Sequence, residues 1–95
     1  MPDIFEVKLS KNAKKDLLGV PNHIRIKLFY WIDAVSTLGL IEISKIKGFH
    51  DEPLKGNRVT QRSIRLNKSY RAIYKIISNY EIEFIEIIEV NNHDY

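Results

Sequence analysis

The stretch TQRSIRLNKSYRAIYKIISNYEIEFIEIIEV, residues 60–90, decides the fold. It divides at NKS (67–69) and SNY (78–80) into TQRSIRL, YRAIYKII and EIEFIEIIEV, each bounded by turn-forming residues. The first two segments are rich in β-branched and aromatic side chains, a composition that suits a pleated surface. The third is less clean, because Glu83, Glu86 and Glu89 recur every three residues, a spacing that a helix also permits. Five of its ten residues are Ile or Val, however, and the turn before it is short, so a strand is expected. Three strands joined by two short turns make an antiparallel meander.

Upstream, IFEVKLS (4–10) alternates Phe5, Val7 and Leu9 with polar residues and reads as a short first strand. Ser10 offers an N-cap to KNAKKDLL, about two helical turns that end at Gly19. Pro21 opens a second helix, where its missing N–H does no harm. Along it Ile24, Leu28, Trp31 or Ile32, Val35 and Leu38 recur at three- and four-residue spacing, so one face is buried, and Gly39 stops it. Between Gly39 and Asn57 the chain can hold one more helical turn before a loop punctuated by Gly and Pro. The order β-α-α-β-β-β predicts a single α+β domain over residues 1–95. An N-terminal strand and the three-strand meander form a four-stranded sheet, and the helical hairpin covers one of its faces.

Ninety-five residues, 44% hydrophobic and 28% charged, describe a small globular domain rather than a disordered chain. Cysteine is absent, which excludes disulfide and thiolate chemistry. The lack of a long apolar run or a charged-then-apolar leader leads us to expect a cytoplasmic protein with no membrane partner. The net charge of +3 hides a segregation. From Pro53 to Tyr80 there is no Asp or Glu, while Lys55, Arg58, Arg62, Arg65, Lys68, Arg71 and Lys75 all carry positive charge. Acidic residues collect instead at Glu81, Glu83, Glu86 and Glu89. Clustered cations point to a polyanionic partner, nucleic acid or an acidic protein.

In a strand successive side chains alternate faces, so Arg71 and Lys75 share one side of YRAIYK while Tyr70, Ala72 and Tyr74 share the other. Arg65 joins Arg71 on one face only in a particular register; together they would offer two planar forks to a phosphate. Glu52 lies in the loop ahead of the basic stretch, where neighbouring cations keep a carboxylate ionised and able to accept a proton from a hydroxyl. The chain ends NNHDY, in which His93 can donate a proton and Tyr95 can stack on a base or bond a phosphate oxygen. His23, His50 and His93 are too scattered for a metal motif, and no cofactor is expected. Phe29, Tyr30 and Trp31 fall within the second helix and read as core and rim packing.

Taken together, DEPLKGNR (51–58), QRSIRL (61–66), YRAIY (70–74) and the terminal HDY (93–95) resemble the RelE/ParE superfamily of bacterial type II toxins, most closely its RelE- and HigB-type mRNA interferases. The resemblance implies a RelE-like fold and a ribosome-dependent endoribonuclease that cuts mRNA in the A site. It also implies a cognate antitoxin that silences the enzyme. Carried over residue by residue, it makes Glu52 the general base, Arg71 with Arg65 the stabilisers of charge on the reacting phosphate, and His93 and Tyr95 the C-terminal pair. Lys55, Arg58, Arg62 and Lys68 would hold the RNA backbone. Two other readings stay open at this point: a ParE-like inhibitor of DNA gyrase without nuclease activity, and a non-catalytic basic nucleic-acid-binding domain.

Overall fold

The computed structural model describes residues 3–78 and 83–92. Strand β1 (Val7–Leu9) leads into helix α1 (Lys11–Leu17), helix α2 (Asn22–Leu38) and a short helix α3 (Leu40–Ser44). Strands β2 (Glu52–Pro53), β3 (Gln61–Arg65), β4 (Tyr70–Ser78) and β5 (Glu83–Asn92) follow, with single 3-10 turns at Lys47–Phe49 and Gly56–Arg58. The strands form one sheet in the order β1-β5-β4-β3-β2; β1 runs parallel to β5 and the remaining pairs are antiparallel. The meander and the α+β class are as the sequence predicts. The sheet has five strands rather than four, because Glu52 and Pro53 pair with Ser63 and Arg62 at its edge. Proline is tolerated there because an edge strand does not need every N–H.

Side chains of α1 fix the sheet beside it. Ser10 Oγ accepts from the Ala13 N–H at 3.0 Å, the expected cap, and donates to the Ile88 carbonyl at 3.2 Å. A bulge in β5 explains the second bond: Tyr74 pairs with Ile87 and Ile73 with Glu89, so Ile88 has no cross-strand partner. Its carbonyl also accepts from Asn12 Nδ2 at 3.0 Å, and the Val90 N–H finds Asp16 Oδ2 at 3.0 Å. Backbone groups that the bulge removes from the ladder are thereby satisfied by the helix.

Pro21 occupies the N-cap of α2, and Gly39 ends it at φ 89°, a conformation nearly closed to other residues. The buried face of α2 consists of Ile24, Leu28, Trp31 and Val35; Leu38, expected on that face, is 57% exposed because the helix has by then passed the edge of the core. These residues pack on Ile64, Ala72, Tyr74, Ile85 and Ile87, with the Trp31 and Tyr74 rings 5.4 Å apart. The helices thus cover one face of the sheet. Its other face carries Gln61, Ser63 and Arg65 of β3, Arg71, Ile73 and Lys75 of β4, and Glu86, Glu89 and Asn91 of β5. No helix among the described residues packs over that second face.

Candidate functional site

Register decides what the open face can do. Asn67 Oδ1 accepts from the Ser69 and Tyr70 N–H groups, each at 2.7 Å, and the Leu66 N–H donates to the Tyr70 carbonyl at 2.9 Å. That tight turn sets Arg65 directly opposite Arg71 and Ser63 opposite Ile73. Because Glu52 pairs with Ser63, its carboxylate stands on the same face as the two arginines. The result is a recess of about 70 Å³ whose walls include His50, Glu52, Ser63, Arg65, Lys68 and Arg71.

His50 was passed over as a candidate by sequence reasoning, which weighed it only as a metal ligand. It sits in the left-handed region at φ 45°, and its Nε2 lies 3.3 Å from Arg65 Nη1. A non-glycine residue in that region is uncommon and concentrates at functional loops. The one signal in the sequence was its place two residues before Glu52.

Arg71 is lightly held: its Nε donates to Asn91 Oδ1 at 3.4 Å, and Asn91 Nδ2 donates to Glu89 Oε1 at 2.8 Å. Glu89 in turn forms an ion pair with Arg58, whose Nε donates to Gln61 Oε1 at 2.7 Å. The Arg58 head group is therefore already engaged, whereas Arg65 is exposed and, among the described residues, its guanidinium meets the His50 imidazole. Lys55 and Lys68 are both exposed; Lys68 lines the recess, whereas Lys55 lies at the other end of β3, next to the Leu54–Gln61 pairing.

Arg62 stands apart from this group. It lies on the helix-covered face, opposite Tyr74, and its Nε donates to Asp51 Oδ1 at 2.7 Å. The Tyr74 hydroxyl donates to Asp51 Oδ2 at 2.6 Å. The Asp51 side chain is completely buried. Burial, and then the adjacent Asp51 charge, push the Tyr74 hydroxyl well above its ordinary range, so it remains a donor. Burial alone would lower the Arg62 pKa, but Asp51 outweighs it and the net shift is upward. His93 and Tyr95 lie outside the described residues.

Two guanidinium forks, an imidazole and a carboxylate around one small recess can clamp an anionic group and exchange protons with it. The fold agrees with that of known toxins. The chain superposes on the YoeB/ParE toxin from Agrobacterium tumefaciens with a TM-score of 0.69, at 16% identity, over 94% of this chain and 99% of that one. YafQ from E. coli gives 0.71 at 16% identity, over 92% and 91%. The E. coli DinJ-YafQ toxin-antitoxin complex gives 0.68 at 20% identity, over 95% and 94%. The chain thus has the RelE-like fold shared by YoeB/ParE and YafQ toxins. No protein-family model matches the sequence, and no curated protein matches it significantly.

Proposed function

We propose that this protein is the toxin of a bacterial type II toxin–antitoxin pair and acts in the cytoplasm as a metal-independent endoribonuclease on mRNA in the ribosomal A site. The observation that carries the proposal is the face-to-face pair Arg65 and Arg71, with His50 and Glu52 at the same recess. Likeness of fold to a protein solved as a toxin–antitoxin complex supports the antitoxin partner.

RNA supplies its own nucleophile. The ribose 2′-oxygen attacks the adjacent phosphorus, Glu52 takes the hydroxyl proton, and the P–O5′ bond breaks to leave a 2′,3′-cyclic phosphate and a 5′-hydroxyl. Arg65 and Arg71 stabilise the negative charge that develops on the phosphoryl oxygens; one such aimed donor contributes about 2.7–4 kcal/mol. A histidine protonates the departing oxygen. His93 is the one the family resemblance implies, with Tyr95 two residues on; His50 is the alternative because it lines the same recess as Glu52, Arg65 and Arg71. Lys55 and Lys68 hold the RNA backbone, whereas the Arg58 guanidinium is engaged by Glu89 and Gln61. Arg62 is assigned no RNA contact here, since its guanidinium is bound to Asp51 on the covered face.

Primer extension on cellular messages after brief induction tests the reading. New in-frame breaks that depend on translation are expected, and a message carrying deoxyribose at the break point should survive on ribosomes in vitro. Intact messages with arrested replication would overturn the nuclease in favour of a gyrase inhibitor. Comparing H50Q with H93Q identifies the proton donor.

A further inference from the structure

Among the described residues, Asp51 is the least exposed charged side chain in the ion pairs, at 0%, and it sits between His50 and Glu52. A carboxylate removed from water is costly unless well paired, and an apolar residue of similar size would serve packing at least as well. The chain nevertheless places one here and surrounds it with donors. Arg62 Nε and the Tyr74 hydroxyl bond its two oxygens at 2.7 and 2.6 Å, and Arg62 Nη2 reaches its backbone carbonyl at 3.3 Å. Arg62 belongs to β3 and Tyr74 to β4, the strands that also carry Arg65 and Arg71.

We infer that Asp51 is the positioning residue of the recess: by binding Arg62 and Tyr74 on the covered face of the sheet, it sets its chain neighbours His50 and Glu52 on the open face against Arg65 and Arg71. This inference rests on the nuclease reading for its effect on rate, but not for its effect on geometry. Three observations support it. Strand β2 has only two residues, too few to fix the loop by ladder bonds alone. His50 occupies a strained left-handed conformation that persists only when its surroundings over-determine it. Alternation along an extended segment sends Asp51 to one side of the sheet edge and Glu52 to the other. The Tyr74 hydroxyl is protonated at neutral pH, as tyrosine ordinarily is, and so donates in this tie.

The test combines NMR with kinetics on the full chain. In Asp51→Asn, nuclear Overhauser contacts between the His50 ring and the Arg65 side chain are expected to vanish while the contacts between Trp31 and Tyr74 remain. With programmed ribosomes, kcat is expected to fall at least tenfold with KM changed less than threefold. In a chain already carrying H50Q and E52Q, adding Asp51→Asn is expected to cost less than a further twofold in kcat, because there is nothing left to position. A loss that multiplies in that background would overturn the inference, since it would mean that Asp51 acts only through general stability. Persistence of the His50–Arg65 contacts in Asp51→Asn would overturn it as well. If Asp51→Asn does not fold, Tyr74→Phe removes one of the bonds and keeps the ring on Trp31. It is then expected to weaken the His50–Arg65 contacts and lower kcat in the same direction, and unchanged contacts would again be fatal. A wild-type chain that cuts no message defeats the nuclease reading, and the NMR comparison still decides whether Asp51 positions the loop.

Discussion

Two arginines facing each other across neighbouring strands should cost this protein stability, and Arg65→Gln measures how much. Like charges directly opposite in a sheet destabilise it by about 0.2–1 kcal/mol. Unit charges about 5 Å apart in water repel by roughly 0.8 kcal/mol. Arg65 and Arg71 are in register, so their backbones approach closely while the flexible side chains splay apart, and the lower half of that range applies. The exposed contact of Arg65 with His50 offsets little of the gain. Replacing Arg65 with glutamine should therefore stabilise the fold by about 0.5 kcal/mol, which for a domain of this size raises Tm by about 2–4 °C. The gain is electrostatic. It should be largest at 10 mM salt, where the Debye length is about 30 Å, and should nearly disappear at 1 M, where it is about 3 Å. Thermal melts at the two salt concentrations provide the assay. On the nuclease reading the same variant should lose about 10²–10³-fold in cleavage, the usual effect of deleting one donor to a developing oxyanion. A variant no more stable than wild type at low salt, or one whose gain survives undiminished at 1 M, would refute the claim that the pair is held together against its own repulsion.

Gly39→Ala should destabilise the chain by about 3 kcal/mol in urea unfolding: the residue sits at φ 89°, and a Cβ there would lie 2.0 Å from Asp3 Oδ2. Asp3 would have to leave the Ile4 and Ile41 N–H groups that its Oδ1 accepts, so Asp3→Ala should shrink the cost of Gly39→Ala in a double-mutant cycle. Ser10→Ala should cost about 1 kcal/mol through loss of the helix cap, read from the urea midpoint. Stability should also fall with rising alkalinity. Tyr74 keeps its proton in the folded state above its ordinary pKa of 10.0, whereas the unfolded chain releases it there. Each such group contributes a slope of up to about 1.4 kcal/mol per pH unit above pH 10, which Tyr74→Phe should reduce in urea titrations at high pH. On the nuclease reading, Lys68→Ala should weaken RNA binding broadly and reduce the salt slope of log K, whereas Arg71→Ala should mainly slow cleavage.

What the sequence disclosed follows from the range of the interactions concerned. Ser10 and Gly39 act through local geometry, and both do what local rules predict. The Ile and Val content of β5 outweighed its three-residue glutamate spacing, because a strand between two others is decided by burial. Local patterning failed where an element is too short to have a pattern. Strand β2 has two residues, and the alternation placed at Phe5 breaks because β1 begins only at Val7, leaving Ile4 buried and Phe5 48% exposed. The pairing of Arg65 with Arg71 depended on the turn at Asn67, which sequence narrows but does not fix. His50 meets Arg65 across fifteen residues of chain, and Asp51 meets Tyr74 across twenty-three, so both are products of the finished sheet.

Strand β5 lies between β1 and β4, so the segment that joins the two ends of the sheet is the last of the strands to be synthesised. At about 5–20 residues per second, several seconds separate the appearance of β1 from that of its partner strand. At the end of that interval the core face of α2 has β3 and β4 to pack on but still lacks Ile85 and Ile87. Such a chain is expected to mature late and all at once, which on the nuclease reading would leave a nascent copy harmless to the machine that is making it.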